Sequence, residues 1–198
     1  MAAAQSTTLS RVFVITGPSG VGKGTLITEL RKRIPELELS TSATTRSPRE
    51  GETDGEHYHF LSPEQFNERV DAGMFLEHAD YSGNQYGTLR SEVDTRIGQG
   101  HPVVLEIEVQ GAEQIRESMP EAVQLFIMPP EPELETLLSR LAGRGTDSPE
   151  AIGGRMEVAR QELEARHHFH HRVINDDLQR AADELESIVR GKLSELGQ

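Results

Sequence analysis

The stretch that decides the fold is residues 11–25, which read RVFVITGPSGVGKGT. Residues 11–16 form a short apolar run rich in β-branched side chains, and such a run predicts a buried strand. A glycine-rich turn follows it, and apolar residues at helical spacing after Thr25 predict a helix that ends before Pro35. A strand, a glycine turn and a helix in this order predict the opening of a βαβ unit, and therefore an α/β fold.

The turn itself is typical of a phosphate-binding loop. Glycines allow the backbone N–H groups to point at an anion, and the N-terminus of the following helix adds partial positive charge. Lys23 supplies a point charge that can reach the β- and γ-phosphates of a nucleotide. A glycine turn without a ligand is the alternative, but the lysine, the spacing and the strand–helix context disfavour it. The candidate ATP-binding residues are Gly17, Pro18, Ser19, Gly20, Val21, Gly22, Lys23, Gly24 and Thr25.

The residue after the lysine departs from the usual motif, which has a serine or threonine that ligates magnesium. Here that residue is Gly24, and the hydroxyl comes one place later, at Thr25. We therefore expect Mg²⁺ to be held mainly by phosphates and water, and we assign no residue as a certain metal ligand.

Length, net charge and cysteine content exclude some classes of protein. The 198 residues predict one domain, and the formal net charge of -13 disfavours a nucleic-acid partner. The chain has no cysteine, which excludes disulfides and is compatible with the cytoplasm. Apolar runs are too short for a membrane span, and we expect residues 1–10 to be a flexible tail and not a signal peptide. No obligate protein partner is inferred.

The middle of the chain has a different pattern from the rest. Short strand-like pieces over 37–42, 58–60 and 75–81 alternate with glycine turns and predict an antiparallel insert. Ser62 and Gln65 form a capping-box pattern that begins a helix over residues 62–72. The predicted single domain, 11–195, then comprises a core (11–36, 92–141 and 155–195), the insert (37–91) and a glycine-rich segment (142–154), for which the resemblance described below implies a lid.

The second half returns to alternating helices and strands. Apolar runs predict strands over 102–109 and 123–128, and a helix over 132–141. Residues 142–154 are rich in glycine and predict a mobile loop. A charged helix over 155–168, a strand over 172–174 and a final helix over 176–196 complete the prediction.

The insert contains a second candidate anion site. Arg46 and Arg49 lie three residues apart, beside hydroxyl side chains and around Pro48. Guanidinium groups bind phosphate with two parallel hydrogen bonds. Taken alone, however, this pattern is more often a solvated loop.

Seven segments, taken together, resemble the guanylate kinase family. In chain order they are GPSGVGKGT, SATTRSPREGE, DGEHYHF, FLEHADYSGNQYGT, VLEIEVQGA, LAGRGTDSPE and VINDDL, and the resemblance extends over about residues 11–188. The resemblance implies a parallel sheet of the P-loop NTPase type flanked by helices, with an antiparallel GMP-binding insert and a mobile lid. It also implies transfer of the γ-phosphoryl group of ATP to GMP, and to dGMP, with Mg²⁺, in purine nucleotide recycling.

The resemblance carries over site residues by position. The GMP phosphate would be held by Arg46, Arg49, Tyr58 and Tyr86, and the guanine would be read by Ser42, Glu77 and Thr88. Guanine presents two adjacent donors, N1–H and N2–H₂, and a carboxylate can accept from both. Glu106 and Glu108 would serve the magnesium region and the guanine, although the family commonly has aspartate where this chain has Glu108. Asn175 would contact ATP.

The lid would bring further positive charge to the reaction. The resemblance implies that Arg140, Arg144 and Arg155 approach the transferring phosphoryl group, together with Lys23 and Arg46. Structural ion pairs with acidic neighbours are an equally weighted alternative for each lid arginine. We expect substantial domain closure when both substrates bind.

Three other interpretations stay open or are disfavoured. A histidine cluster at His167, His168, His170 and His171 suggests a metal site, but a solvated helix end explains it better. A non-catalytic binding module is the first rival function, and the intact Lys23 loop argues against it. A kinase for another phosphorylated acceptor is the second rival.

Overall fold

The computed structural model describes residues 11–81, 83–143 and 148–195. Along the chain its elements are β1 (Val12–Thr16), α1 (Lys23–Arg33), β2 (Glu38–Leu39), β3 (Ala43–Thr44), β4 (His59–Phe60), α2 (Pro63–Asp71), β5 (Phe75–Tyr81), β6 (Asn84–Leu89), α3 (Arg90–Gly98), β7 (Val103–Glu106), α4 (Val109–Ser118), β8 (Val123–Met128), α5 (Glu133–Gly143), α6 (Pro149–Glu164), a 3₁₀ turn (Ala165–His168), β9 (His171–Ile174) and α7 (Leu178–Glu195).

The main sheet has five parallel strands in the order β2-β7-β1-β8-β9. Every residue of β1 is fully buried, because this central strand is covered on both faces. Helix α1 packs against α7, and α4 contacts β1. The predicted α/β class is confirmed. The strand predicted over 123–128 has the observed bounds of β8.

The second sheet is smaller and has the strand order β4-β3-β6-β5. Strands β5 and β6 form an antiparallel hairpin, and β3 is antiparallel to β6. Its own apolar cluster is Ala43, Phe66, Phe75 and Leu89, in which the two phenylalanine rings stack at 4.5 Å between centroids. Helices α3 and α4 join the two layers, since α3 contacts β6 and β7 and α4 contacts β5 and β1.

The insert differs from its prediction in two respects. Strand β4 runs parallel to β3, so the sheet is mixed and not purely antiparallel. Strand β2, predicted as part of the insert, pairs with β7 in the main sheet. The predicted helix of the insert is confirmed as α2, where the Ser62 side chain accepts from the Gln65 backbone and the Gln65 side chain accepts from the Ser62 backbone.

The glycine-rich stretch 142–154 was predicted to be a loop, and this prediction is wrong for its second half. Helix α6 begins at Pro149, because the Ser148 side chain caps it by accepting from the backbone of Ala151. Gly153 and Gly154 lie inside this helix. Arg144 lies outside the described residues, and so do its neighbours up to residue 147.

The strand predicted over 102–109 is also shorter than expected. Strand β7 ends at Glu106, and Glu108 is the N-cap of α4 in an extended conformation. The two glutamates therefore sit where a strand gives way to a helix. Within the described residues, no helix combines the length and the hydropathy that crossing a membrane requires.

Candidate phosphoryl-transfer site

The phosphate loop follows β1 and leads directly into α1. Gly22 caps this helix with a φ of 96°, which is a left-handed conformation. A Cβ atom at Gly22 would lie 2.7 Å from Nδ2 of Asn175, so glycine also permits this close approach. Asn175 donates from that nitrogen to the carbonyl oxygen of Val21 at 2.8 Å. The loop is thereby fastened to the segment after β9.

Arg140 supports the same part of the loop. Its guanidinium donates to the carbonyl oxygen of Val21 at 3.1 Å and to that of Asn175 at 2.7 Å. These contacts place Arg140 against the backbone of the phosphate loop. The sequence prediction assigned Arg140 to the transferring phosphoryl group, whereas in this structure its observed contacts hold the loop in place.

The Lys23 side chain lies across the loop. Its Nζ donates to the carbonyl oxygen of Gly17 at 2.6 Å and is 3.7 Å from Oε2 of Glu108. Only 10% of the Lys23 side chain is exposed, so its charge is not screened by bulk water as a surface lysine would be.

Three glutamates surround Lys23, and one of them was not predicted. Burial raises the pKa of Glu106, although the Lys23 charge opposes this. Burial also raises the pKa of Glu162, the unpredicted residue on α6, and the negative charge of Glu108 adds to the effect. Oε2 of Glu162 accepts from the backbone N–H of Ser19 at 3.2 Å. A carboxyl group from α6 therefore accepts a hydrogen bond from one of the backbone N–H groups of the phosphate loop.

Ser19 links three parts of the molecule. Arg155 on α6 donates to its hydroxyl from Nε at 3.0 Å and from Nη2 at 2.8 Å. Tyr81, at the end of β5, also donates to this oxygen at 3.3 Å. The predicted lid arginine thus reaches the phosphate loop, and Tyr81 joins the insert to the same point.

Most of the predicted guanine-reading residues line one cavity of about 230 Å³. Its walls include Lys23, Ser42, Tyr58, Glu77, Tyr86, Glu106 and Glu108. Glu77 is only 4% exposed, and Thr88 donates to its Oε1 at 2.6 Å. Burial raises the pKa of Glu77 to about 7. Of the three predicted guanine readers, Ser42 and Glu77 therefore line the cavity, and Thr88 lies behind it as the hydrogen-bond donor to Glu77.

A second and larger cavity, of about 1060 Å³, opens between the insert and α6. It is lined from one side by Arg46, Arg49 and Tyr86, and from the other by Arg155 and Glu162. Glu108 lines both cavities. The two arginines of the insert therefore face the arginine of α6 across one space.

Arg46 is held by an acidic partner that the sequence analysis did not single out. Its Nη1 and Nη2 donate to the two oxygens of Glu52 at 2.9 Å and 2.8 Å, and the backbone N–H of Arg49 donates to Oε2 at 2.7 Å. The Arg46 guanidinium also lies over the Tyr58 ring, 5.3 Å from its centroid. Glu52 therefore fixes the plane of Arg46 and the backbone at Arg49.

The three unpredicted residues, Glu52, Tyr81 and Glu162, carry no local signal of their role. Glu52 lies inside a segment that was already singled out for its arginines, so its charge was the only clue. Glu162 is 143 residues from Ser19 in sequence, and only the folded chain brings them together. The described residues contain no cluster of three or more histidine, cysteine, aspartate or glutamate side chains suited to a metal ion.

Comparison with known proteins places these features in a family. The family model described as guanylate kinase matches residues 9–192. The guanylate kinase of Synechococcus sp. (strain CC9311) is 53% identical over 178 residues, covering 90% of this chain and 93% of that protein. The guanylate kinase of Prochlorococcus marinus (strain MIT 9313) is 50% identical over 186 residues, covering 94% of this chain and 97% of that protein.

A solved structure agrees with the sequence relatives. The crystal structure of guanylate kinase from Anaplasma phagocytophilum has a TM-score of 0.73 and 28% sequence identity. The match covers 91% of this chain and 85% of that one.

Proposed function

The chain belongs to the guanylate kinase family, whose activity is the transfer of the γ-phosphoryl group of ATP to GMP, and we propose that each side of the described site binds one of these two substrates. The phosphate loop binds the donor, and the insert binds the acceptor. One observation carries the proposal: Lys23 and Glu77 line the same cavity. The side chain that would bind phosphate and the carboxyl that would bind the guanine base therefore face the same space.

On the donor side, the loop backbone and Lys23 bind the ATP phosphates. The Nζ atom, which now donates to the Gly17 carbonyl, is close enough to reach an anion seated on the loop. Asn175 and Arg140 keep the loop backbone in place, and Arg155 contributes positive charge from α6. Phosphoryl transfer needs positioning and charge stabilisation more than covalent chemistry, and these residues supply both.

On the acceptor side, Arg46, Arg49 and Tyr86 bind the GMP phosphate, with Tyr58 stacked beside Arg46. Glu77 accepts from N1–H and N2–H₂ of guanine, and adenine offers no such pair of donors. Ser42 and Thr88 complete the base site. We assign none of these residues to the ribose 2′ position. We therefore expect dGMP to be an acceptor as well.

Magnesium fits the acidic residues beside Lys23. Oε2 of Glu108 is buried and has no hydrogen-bond partner among the described residues, and Glu106 is a neighbouring carboxyl on the wall of the same cavity. Such oxygens suit a hydrated Mg²⁺, and Gly24 offers no hydroxyl to compete with them. When bound, the ion would offset phosphate charge, while Glu106 and Glu108 would hold it through water.

The activity assigns the protein to the nucleoside monophosphate kinases, and we propose that it works in the cytoplasm, in purine nucleotide recycling. We assign it no nucleic-acid, membrane or obligate protein partner. The division into core, GMP-binding insert and lid is likewise part of the proposal. Arg155 and Glu162 on α6 both hydrogen-bond to Ser19 of the phosphate loop, so closure of the lid region would change these two contacts.

The proposal is tested by measuring ADP release from ATP and Mg²⁺ with GMP, dGMP, AMP, CMP and UMP in parallel. We expect turnover with the two guanine nucleotides, and a loss of about a thousandfold or more in kcat for Lys23→Ala. Lys192→Ala is the matched control, because Lys192 lies on α7 and forms a local ion pair with Glu195, three residues away.

Two results would support the rival functions. Turnover with AMP and none with GMP would identify a kinase for another acceptor. Folded protein that binds GMP without any turnover would identify a binding module.

A further inference from the structure

Helix α4 passes unusually close to the Glu77 carboxyl. A Cβ atom built on Gly111, in the first turn of this helix, would lie 3.0 Å from Cδ of Glu77 and nearer still to its Oε2. The three closest atoms to that position all belong to the Glu77 side chain. Glycine is therefore the one residue type that leaves room for the carboxyl in its observed position.

This glycine differs from the other glycines in the described helices. A Cβ atom at Gly98, Gly143, Gly153, Gly154 or Gly191 would meet nothing within 4 Å, and one at Gly24 would be in ordinary van der Waals contact, 3.5 Å from Oε1 of Glu106. Glycine weakens a helix relative to alanine, so a glycine in a buried first turn has a cost that local structure does not explain. At Gly111 the close approach of Glu77 explains it.

Two side-chain amides oppose movement of the helix away from Glu77, because their hydrogen bonds would have to break. Gln114 accepts from the backbone N–H of His78 at 3.2 Å and donates to the carbonyl of His78 at 2.7 Å. Gln124 donates from β8 to the carbonyl of Ala112 at 2.8 Å. These bonds hold α4 to β5 beside Glu77 and to β8 beside Gly111. An added methyl group would therefore displace the Glu77 side chain.

The two oxygens of Glu77 have different neighbours. Oε1 accepts from Thr88 at 2.6 Å, and Oε2 lies against Gly111. Rotation of the carboxyl away from a methyl group at residue 111 would break the Thr88 hydrogen bond. It would also turn both oxygens out of the plane in which they accept from two adjacent donors.

We propose that Gly111 is a positioning residue that determines specificity for the guanine base, by leaving the space in which the Glu77 carboxyl is held. This inference rests on the proposed function of Glu77 as the guanine reader. Gly111 itself makes no contact with substrate in this assignment. Its effect is confined to the acceptor side, since none of its three closest atoms belongs to the phosphate loop.

The test compares the wild type with Gly111→Ala, Glu77→Asp, the double variant and Gly191→Ala. The last is the matched control, because it places the same methyl group in the interior of α7 in open space. For each protein, KM for GMP, KM for ATP and the urea dependence of unfolding are measured. We expect Gly111→Ala to raise KM for GMP by about tenfold to a hundredfold, with KM for ATP unchanged within about twofold.

Rescue distinguishes a steric effect from general damage. Aspartate is one methylene shorter, so Glu77→Asp should cost less in the Gly111→Ala background than in the wild type, both in KM for GMP and in unfolding. Additive effects, or an unchanged KM for GMP in Gly111→Ala, would overturn the inference. If Gly111→Ala does not fold, recovery of folding in the double variant supports the contact, and failure to recover overturns it.

Failure of the proposed function would give a different result. A wild type without GMP turnover refutes that function. The coupling between residues 77 and 111 in unfolding would still be measured, because it does not depend on activity.

Discussion

The phosphate loop and the insert achieve binding in different ways. The loop follows a strand whose five residues are all buried in the main core, and its donors are largely backbone N–H groups. The insert has an apolar cluster of only four buried residues, and its binding groups are side chains such as Arg46 and Glu77. The loop is therefore set by local backbone geometry, whereas the insert depends on contacts between distant side chains.

This difference has a consequence for how each side tolerates change. The loop is supported from several directions, by Asn175, Arg140 and Arg155, so a change in one of these supports leaves the others in place. In the insert, Glu52 is the acidic partner of Arg46, which also donates to the carbonyl of Ser47 and lies over the Tyr58 ring, and Thr88 donates to Glu77. We expect single substitutions in the insert to affect the acceptor selectively.

The largest effect on this comparison should come from Glu77→Gln. The amide oxygen can accept from one guanine donor, but the amide NH₂ group then faces the other guanine donor. That second donor is buried without an acceptor. We expect kcat/KM for GMP to fall by about a hundredfold or more, with KM for ATP changed little. Steady-state kinetics with each substrate varied in turn measures both values.

The control for this variant is Glu56→Gln, which makes the same chemical change at an exposed position of the insert. Equal losses in the two variants would mean that net charge, and not the Glu77 position, governs GMP binding.

A smaller effect is expected from Glu52→Gln. The variant keeps the shape of the side chain but weakens the paired hydrogen bonds to Arg46, so the guanidinium must be ordered when GMP binds. We expect KM for GMP to rise by about threefold to tenfold, without a change in KM for ATP. Tighter GMP binding would instead show that Glu52 competes with the phosphate for Arg46.

The last effect concerns stability and pH, and not turnover. Burial raises the pKa of Glu77 to about 7, from an ordinary value of 4.5. Between these values the folded protein holds a proton that the unfolded chain has released, so this group makes the protein less stable as pH rises. Relative to Glu77→Gln, the wild type should lose on the order of 1–3 kcal/mol of unfolding free energy between pH 4.5 and pH 7.

Urea denaturation of both proteins at several pH values measures this difference. A constant difference across the range would mean that the carboxyl titrates at the same pH in the folded and unfolded protein.

The sequence predicted best those features that local pattern determines. Strand β8, strand β5 and the capping box at Ser62 follow from apolar runs and short-range hydrogen bonds, and all three are confirmed. The start of α6 was missed because Gly153 and Gly154 favour a loop. Ser148 and Pro149 are typical of a helix start, and in the structure they begin α6. The parallel pairing of β4 with β3 was missed because two-residue strands carry no directional signal.

The site divides in the same way. The phosphate loop could be predicted from one continuous motif, whereas the acceptor residues needed a resemblance to a family. Glu162 was not predicted, because its partner Ser19 lies 143 residues away in sequence. Glu52 was not predicted although Arg46 and Arg49 lie close to it in sequence, because the pattern does not show which acidic residue of a loop pairs with an arginine. The contact of Gly111 with Glu77 likewise joins a helix to a strand 34 residues earlier, and no spacing rule connects them.

The measurement that most directly tests the division of labour is calorimetric titration of GMP, and separately of a non-hydrolysable ATP analogue with Mg²⁺, into wild type, Lys23→Ala and Glu77→Gln. We predict a crossed pattern, in which Lys23→Ala weakens the ATP analogue and retains GMP, while Glu77→Gln weakens GMP and retains the analogue. Equal weakening of both ligands by either variant, in protein that remains folded, would contradict the account.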